Sequence, residues 1–182
     1  MASALIVLAD GFEEIEAVAV IDILRRAQIE TTVAGLDKLK ITSARQVKIE
    51  TDALLDEVTH HVFDVIILPG GEPGTTNLQQ SQTLKDLLLK QASQKRLVAA
   101  ICAAPRILDQ IGLLDGKKAT SFPGTKPEMK SCDYQEARVV EDGQIITSRG
   151  PGTAMEFGFK LVERLKSPQL ASSLKEKMLY AG

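Results

Sequence analysis

The chain has 182 residues, 44% of them hydrophobic and 25% charged, with a formal net charge of −2 at pH 7. That length suits one well-buried core and is short for two, so 1–182 reads as a single domain. The near-neutral balance gives no electrostatic case for nucleic acid or an anionic membrane as main partner, and no apolar run approaches membrane-spanning length.

Taken in order, strands and helices alternate. Ser3–Leu8 is an apolar run without a basic leader and leads into acidic Glu13-Glu14, so it predicts a first strand and not a signal peptide. The expected location is therefore the cytoplasm. A helix is expected from Glu13 to about Ala27, a second strand over Thr31–Gly35, and a short β excursion through Ile41 and Val47–Ile49. Asp64–Leu68 reads as a third buried strand ending in Pro69-Gly70-Gly71. A helix over Thr83–Gln91 precedes the buried strand Leu97–Ile101 and a third helix from Ala103 to about Gln110. Arg138–Val140 and Ile145–Thr147 flank Asp142-Gly143, the strongest hairpin signal in the chain. Helices from Thr153 to about Leu165 and after Ser167-Pro168 close the sequence. The alternation predicts an α/β fold with a mainly parallel sheet covered on both faces.

Two helices say more. Ala154, Phe157, Gly158, Leu161, Val162 and Leu165 form one stripe, and Thr153-Ala154-Met155-Glu156 fits a capping box, so Glu156 needs no catalytic role. In the first helix Ile15, Val18, Ala19, Val20, Ile21, Ile23 and Leu24 exceed the stripe one sheet contact buries. A second covered face is implied, under another element or, as favoured here, a partner subunit.

Three loops leave the carboxyl edge of the expected sheet, where ligands collect in such folds. The sharpest is Ala99-Ala100-Ile101-Cys102-Ala103-Ala104-Pro105, a strand-to-helix turn with Pro105 suited to the first helical turn. A thiol there resembles a nucleophile elbow, and the helix end favours thiolate. A small hydrophobe buried at a strand end accounts for Cys102 as readily. Asp10–Glu16 supplies Glu16, a first-turn glutamate among apolar residues. It either complements the helix dipole or stays protonated beside the thiol, donating to sulfur and serving as general acid or base. Glu13 and Glu14 read as solvated charges. The third loop, Pro69–Gly74, offers the Gly70 and Gly71 backbone; amides of Gly71 and Ala103 would form an oxyanion hole, although a tight turn is the simpler reading.

His60 and His61, the only histidines, precede the Asp64 strand and belong at the far edge, so a hydrolytic Cys-His pair lacks its base. Cys102 and Cys132 have no C-x-x-C spacing, which argues against a metal site or a secreted disulfide framework; Cys132 reads as incidental. Arg149, in Ser148-Arg149-Gly150-Pro151-Gly152, is a structural ion-pair partner or helps frame the site.

Gly11-Phe12-Glu13-Glu14-Ile15-Glu16, Leu68-Pro69-Gly70-Gly71, Ala99–Pro105 and Thr147–Thr153 together resemble the ThiJ/PfpI superfamily, in the branch of the parkinsonism-associated deglycase and its bacterial relatives. The resemblance implies a flavodoxin-like three-layer sandwich, no cofactor, and a homodimer through the first helix. It further implies Cys102 as a peroxide-sensitive nucleophile, Glu16 as its protonated partner, and an anion pocket at Gly71, Ala103 and Gly70. Phe122 stands where eukaryotic members carry a histidine, as in some bacterial members. Arg26 of a neighbouring subunit and Arg45 align with pocket-bordering positions. Ala103 replaces the histidine that peptidase relatives carry after the cysteine, so peptidase activity is not expected. The implied function is deglycase or glyoxalase chemistry on methylglyoxal, glyoxal or their early adducts with proteins and nucleotides. The alternative is an oxidative-stress sensor and redox-regulated chaperone switched at Cys102.

Overall fold

A computed structural model describes residues 1–181, and the apolar runs predicted as buried strands near residues 3–8, 64–68 and 97–101 form strands. The first half comprises β1 (Ser3–Leu8), α1 (Glu14–Arg26), β2 (Glu30–Gly35), β3 (Lys40–Thr42), β4 (Lys48–Glu50), β5 (Ala53–Leu54) and α2 (Leu55–Val58). Then come β6 (Val65–Leu68), α3 (Gly74–Gln80), α4 (Gln82–Ser93), β7 (Leu97–Ile101) and α5 (Pro105–Gln110). The last third holds β8 (Lys118–Ala119), β9 (Asp133–Tyr134), β10 (Val139–Asp142), β11 (Ile145–Ser148), α6 (Ala154–Leu165) and α7 (Pro168–Lys177).

The central sheet runs β10-β11-β7-β6-β1-β2-β5 and is parallel except at the β10–β11 hairpin. Successive side chains of a strand face opposite sides. Ile6, Leu8, Ile67, Ala99 and Ile101 therefore pack with Val20, Leu24, Phe157 and Leu161 of α1 and α6. Leu5, Val7, Ile66, Leu68 and Val98 pack with Leu78, Leu84, Leu88 and Ile107 of α3, α4 and α5. Each such side chain withdrawn from water contributes about 1.5–3 kcal/mol before entropy is counted. The result is the expected α/β three-layer arrangement, with two apolar layers separated by the sheet.

β1 lies between β6 and β2, so the chain leaves it in opposite directions on its two sides. The crevice at the carboxyl ends of β1 and β6 is the topological switch point. Among the described residues, no helix is long and apolar enough to cross a membrane.

Two expectations fail locally. Thr153 does not cap α6: its hydroxyl is engaged by Ser148 Oγ (2.7 Å) and by the Gly150 backbone. Glu156 instead accepts from Arg138 at 2.6 Å. A helix also forms over Gly74–Gln80, directly after the expected Pro69–Gly74 loop and where the sequence assigned no element, with Thr75 and Leu78 buried.

The α1 face question has a divided answer. α6 covers one flank, where Gly158 permits close approach because a Cβ there would lie 2.9 Å from Ile23 Cδ1. Ile15 and Val18 remain 56% and 46% exposed, and with Ala19, Met155 and Met178 they line an open groove of about 510 Å³.

Candidate active site

The site begins where β1 runs into α1. Glu13 is the helix N-cap, its Oε2 accepting from Glu16 N–H at 2.8 Å, and burial raises its pKa. It is thus a cap and not the free solvated charge expected. Glu14 borders the groove, with Oε2 buried and unpartnered. The cap fixes the first turn, and Glu16 points inward with no solvent exposure.

The loop after β6 closes on it. Gly70 N–H donates to Glu16 Oε2 at 2.8 Å, while Gly70 C=O accepts from Glu13 N–H at 2.8 Å. A Cβ on Gly70 would lie 2.6 Å from Cys102 Cβ and 2.9 Å from Glu16 Oε2, so only glycine passes between them. Gly70 therefore binds the carboxyl, and its amide is not free to receive an anion as the sequence reading supposed.

Cys102 follows β7 in the left-handed region (φ 65°), the strained turn expected of a side chain lifted out of a sheet. Its N–H donates to Ser148 C=O at 2.9 Å, and its C=O accepts from Phe122 N–H at 2.7 Å. The backbone is thereby pinned on both sides. Only 9% of the residue is exposed. The Gly71 and Ala103 amides face the sulfur and lower the pKa of its thiol, and Gly71 adopts φ 91°, a conformation glycine accepts without a Cβ clash.

Burial raises the Glu16 carboxyl from 4.5 to about 7, against the lowering effects of Cys102 and the Gly70 amide. Glu16 Oε1 is buried with no hydrogen-bond partner, and the Cys102 thiol beside the carboxyl acts to lower its pKa. Burial first, and then the Glu16 charge, push the Cys102 thiol up, while the Ala103 and Gly71 amides pull it down. The sequence reading weighed only the helix end and expected a lowered value. Burial overrides it. The two groups share protons as a pair. Moving one proton from sulfur to Glu16 yields a thiolate facing two amides and a carboxylic acid able to donate to it. That state suits nucleophilic attack followed by proton transfer.

Around this pair, Phe122 is half exposed. A Cβ on Gly150 would lie 3.5 Å from the Phe122 ring and 4.0 Å from Cys102 Sγ, so the three share one opening. Arg149 donates to Glu136 C=O at 3.1 Å. Arg45 lies beside the first loop: Ala44 N–H donates to Phe12 C=O at 2.8 Å, and the Arg45 charge acts on Glu13. Arg26 is not brought to the thiol within this chain; it ends α1, opposite Glu16, paired with Asp22 at 2.6 Å. His60 and His61 are exposed before β6, at the amino edge of the sheet. Cys132 is half-buried, and burial and Asp109 raise its pKa. Among the described residues, no group of three or more His, Cys, Asp or Glu side chains is arranged to hold a metal. Sequence reasoning missed Arg106, whose side chain reaches Glu72, Thr76 and Glu128; its position one turn beyond Cys102 was the only available signal.

Residues 2–164 match the model of the DJ-1/PfpI family. The crystal structure of Drosophila melanogaster DJ-1beta superposes with a TM-score of 0.96 at 42% identity, covering 100% of this chain and 99% of that one. The Toxoplasma gondii structure described as oxidized DJ-1 gives a TM-score of 0.97 at 37% identity, covering 100% of both chains. Among curated proteins, glutathione-independent glyoxalase DJR-1.2 of Caenorhabditis elegans is 35% identical over 182 residues, 98% of this chain and 97% of its own.

Proposed function

The chain belongs to the DJ-1/PfpI family, with its flavodoxin-like fold, and from that premise we propose that it is a cofactor-independent glyoxalase and deglycase. The observation that carries this reading is the fully buried Glu16 carboxyl beside Cys102, with two backbone amides on the sulfur. A homologue named as a glyoxalase supports the substrate class.

In this reading the Cys102 thiolate attacks the aldehyde carbon of methylglyoxal, forming a C–S bond. The resulting alkoxide rests on the Gly71 and Ala103 amides and takes the Glu16 proton. Glu16, now a carboxylate, removes the C1 hydrogen to give an enediolate. A proton passes between the two oxygens, Glu16 returns its proton to C2, and a lactoyl thioester remains. Water cleaves it to lactate and the free thiol. On a hemithioacetal or aminocarbinol adduct of cysteine, arginine or lysine, the Cys102 thiolate displaces the side-chain sulfur or nitrogen from C1. The leaving group departs with the Glu16 proton, and the resulting Cys102 hemithioacetal goes on to lactate by the same steps. Peptide hydrolysis is not proposed, because Ala103 follows the nucleophile and both histidines lie at the opposite sheet edge.

The α1 groove is proposed to receive the same face of a second copy, giving a homodimer. Ile15 and Val18 are exposed apolar residues on a helix otherwise packed into its own chain. The expected setting is the cytoplasm. A second reading, a redox sensor and chaperone switched by Cys102 oxidation, draws on the same buried pair and on the relative described as oxidized.

The deciding assay is lactate formation from methylglyoxal by the protein and by Cys102→Ser prepared identically. Turnover that vanishes in the variant is the expected result. Equal, negligible lactate from both would overturn the enzymatic reading and leave the sensor.

A further inference from the structure

Arg106 begins one helical turn after Cys102, on α5, and its side chain is only 12% exposed. Its Nη2 donates to Glu72 Oε1 at 2.6 Å and to Thr76 Oγ1 at 3.1 Å, and its Nη1 lies 3.5 Å from Glu128 Oε1. Glu72 directly follows Gly71 and accepts in turn from the Thr76 hydroxyl at 2.8 Å. Gly71 C=O accepts from Thr75 N–H at 2.8 Å and from Thr75 Oγ1 at 2.9 Å. The Gly71–Glu72 peptide, which adjoins the Gly71 amide that acts on the sulfur, is therefore held by the first turn of α3, and that turn is held by Arg106. Glu128 ends the short 3-10 segment that starts just after Phe122.

Packing alone does not explain this residue. Its Nε–H is buried without an acceptor, a cost that an apolar side chain of similar length would avoid. A guanidinium, however, offers a planar fork that can grip two partners at a fixed angle. Gly70 and Gly71 have no side chains to anchor them; Glu13 N–H holds the Gly70 end of the loop, and the Glu72 end needs a brace of its own to fix the Gly71 amide.

We propose that Arg106 is a positioning residue for the thiol: through Glu72 and Thr76 it sets the Gly71 amide against Cys102, and through Glu128 it steadies the segment behind Phe122. Both carboxylates are half exposed, but the Glu72 arm is short and charge-assisted and dominates, whereas the Glu128 arm is long and contributes little. The inference rests on reading Cys102 as the nucleophile. Its test reads the reactivity of the thiol directly, so absence of dicarbonyl turnover would sink the glyoxalase reading while alkylation still decides this one.

The experiment is the rate of Cys102 alkylation by iodoacetamide across pH 5 to 10, in Cys132→Ser background, for Arg106→Leu, Arg106→Lys, Glu72→Gln and Glu128→Gln. Misplacing one amide donor to a thiolate moves the rate–pH curve up by about one unit in Arg106→Leu, or about tenfold slower alkylation at a fixed pH on its rising limb. Arg106→Lys restores part of that shift, and Glu128→Gln leaves the curve in place.

Glu72→Gln decides the matter, because the alternatives differ in sign. Removing a negative charge near a thiol eases its ionisation and moves the curve down. Loosening the brace moves it up, here by about half a unit, since Thr76 still holds the guanidinium. An upward shift supports the proposal. A downward shift or none overturns it, whether or not Arg106→Leu folds and whatever happens to thermal stability.

Discussion

Glu16→Gln tests the electrostatics of the pair without any substrate. Glutamine keeps the shape of the side chain and an oxygen for the Gly70 N–H but cannot ionise. In the unfolded chain Glu16 releases its proton near 4.5, whereas burial in the folded protein holds it until about 7. Below pH 4.5 the group is protonated in both states, and the folded form suffers no penalty. Between 4.5 and 7 the unfolded state binds fewer protons than the folded one, so stability falls as pH rises. Above 7 the loss is complete. At about 1.4 kcal/mol per unit, the full difference is about 3 kcal/mol. Urea unfolding at several pH values between 4 and 8.5 reads it, with the variant subtracting all other titrations. The wild-type protein should lose about 3 kcal/mol relative to Glu16→Gln across that window. Parallel curves for the two proteins would refute the claim that burial keeps Glu16 protonated, and with it the carboxylic acid proposed to donate to the thiolate.

Three further perturbations follow from the same geometry. Gly70→Ala puts a methyl into the contact between Cys102 and Glu16; a loss of about 1–3 kcal/mol in urea unfolding, together with abolished turnover, is expected. Phe122→Ala removes a half-exposed ring at the opening, so stability should change by less than about 1 kcal/mol while KM for the dicarbonyl changes and Cys102 alkylation does not. Val18→Asp puts a charge into the α1 groove; sedimentation should find the wild type dimeric and the variant monomeric at micromolar concentration, and a wild-type monomer would remove the dimer proposal.

The strands were readable because parallel strands buried on both faces are continuous apolar runs, and Ser3–Leu8 and Leu97–Ile101 match their predicted limits. The meeting of Glu16, Gly70, Gly71 and Cys102 was readable because three loops leave one sheet edge. What stayed hidden depends on partners distant in sequence. Gly74-Thr75-Thr76-Asn77 has weak helix propensity, yet α3 forms because Thr75 is tied to Gly71 and Leu78 is buried. The hydroxyl of Thr153 matched a capping pattern, but Ser148 and Gly150 claimed it first. The raised thiol was missed because burial is a property of the whole fold, whereas the helix end is local. Arg106 bridges residues 22 and 34 positions away, a relation that no local pattern encodes.

The same distinction bears on which role the site performs. A left-handed cysteine costs about 1–3 kcal/mol and persists only where its surroundings hold it. Here the holders are Ser148 C=O and Phe122 N–H, so β11 and the segment after β8 fix the turn from outside β7. The cysteine is thus held by its backbone on both sides, nearly enclosed, and coupled to one buried carboxyl. Catalysis needs the Glu16 proton to leave and return in each cycle, while a sensor needs it only to stay and donate to an oxidised sulfur. Glu16→Gln retains a donor but not a mobile proton. It should therefore lower lactate turnover by about 10²–10⁴-fold while Cys102 still reacts with peroxide. Unchanged turnover in that variant would assign proton transfer elsewhere; an unchanged rate of thiol oxidation alongside lost turnover would separate the two roles at a single residue.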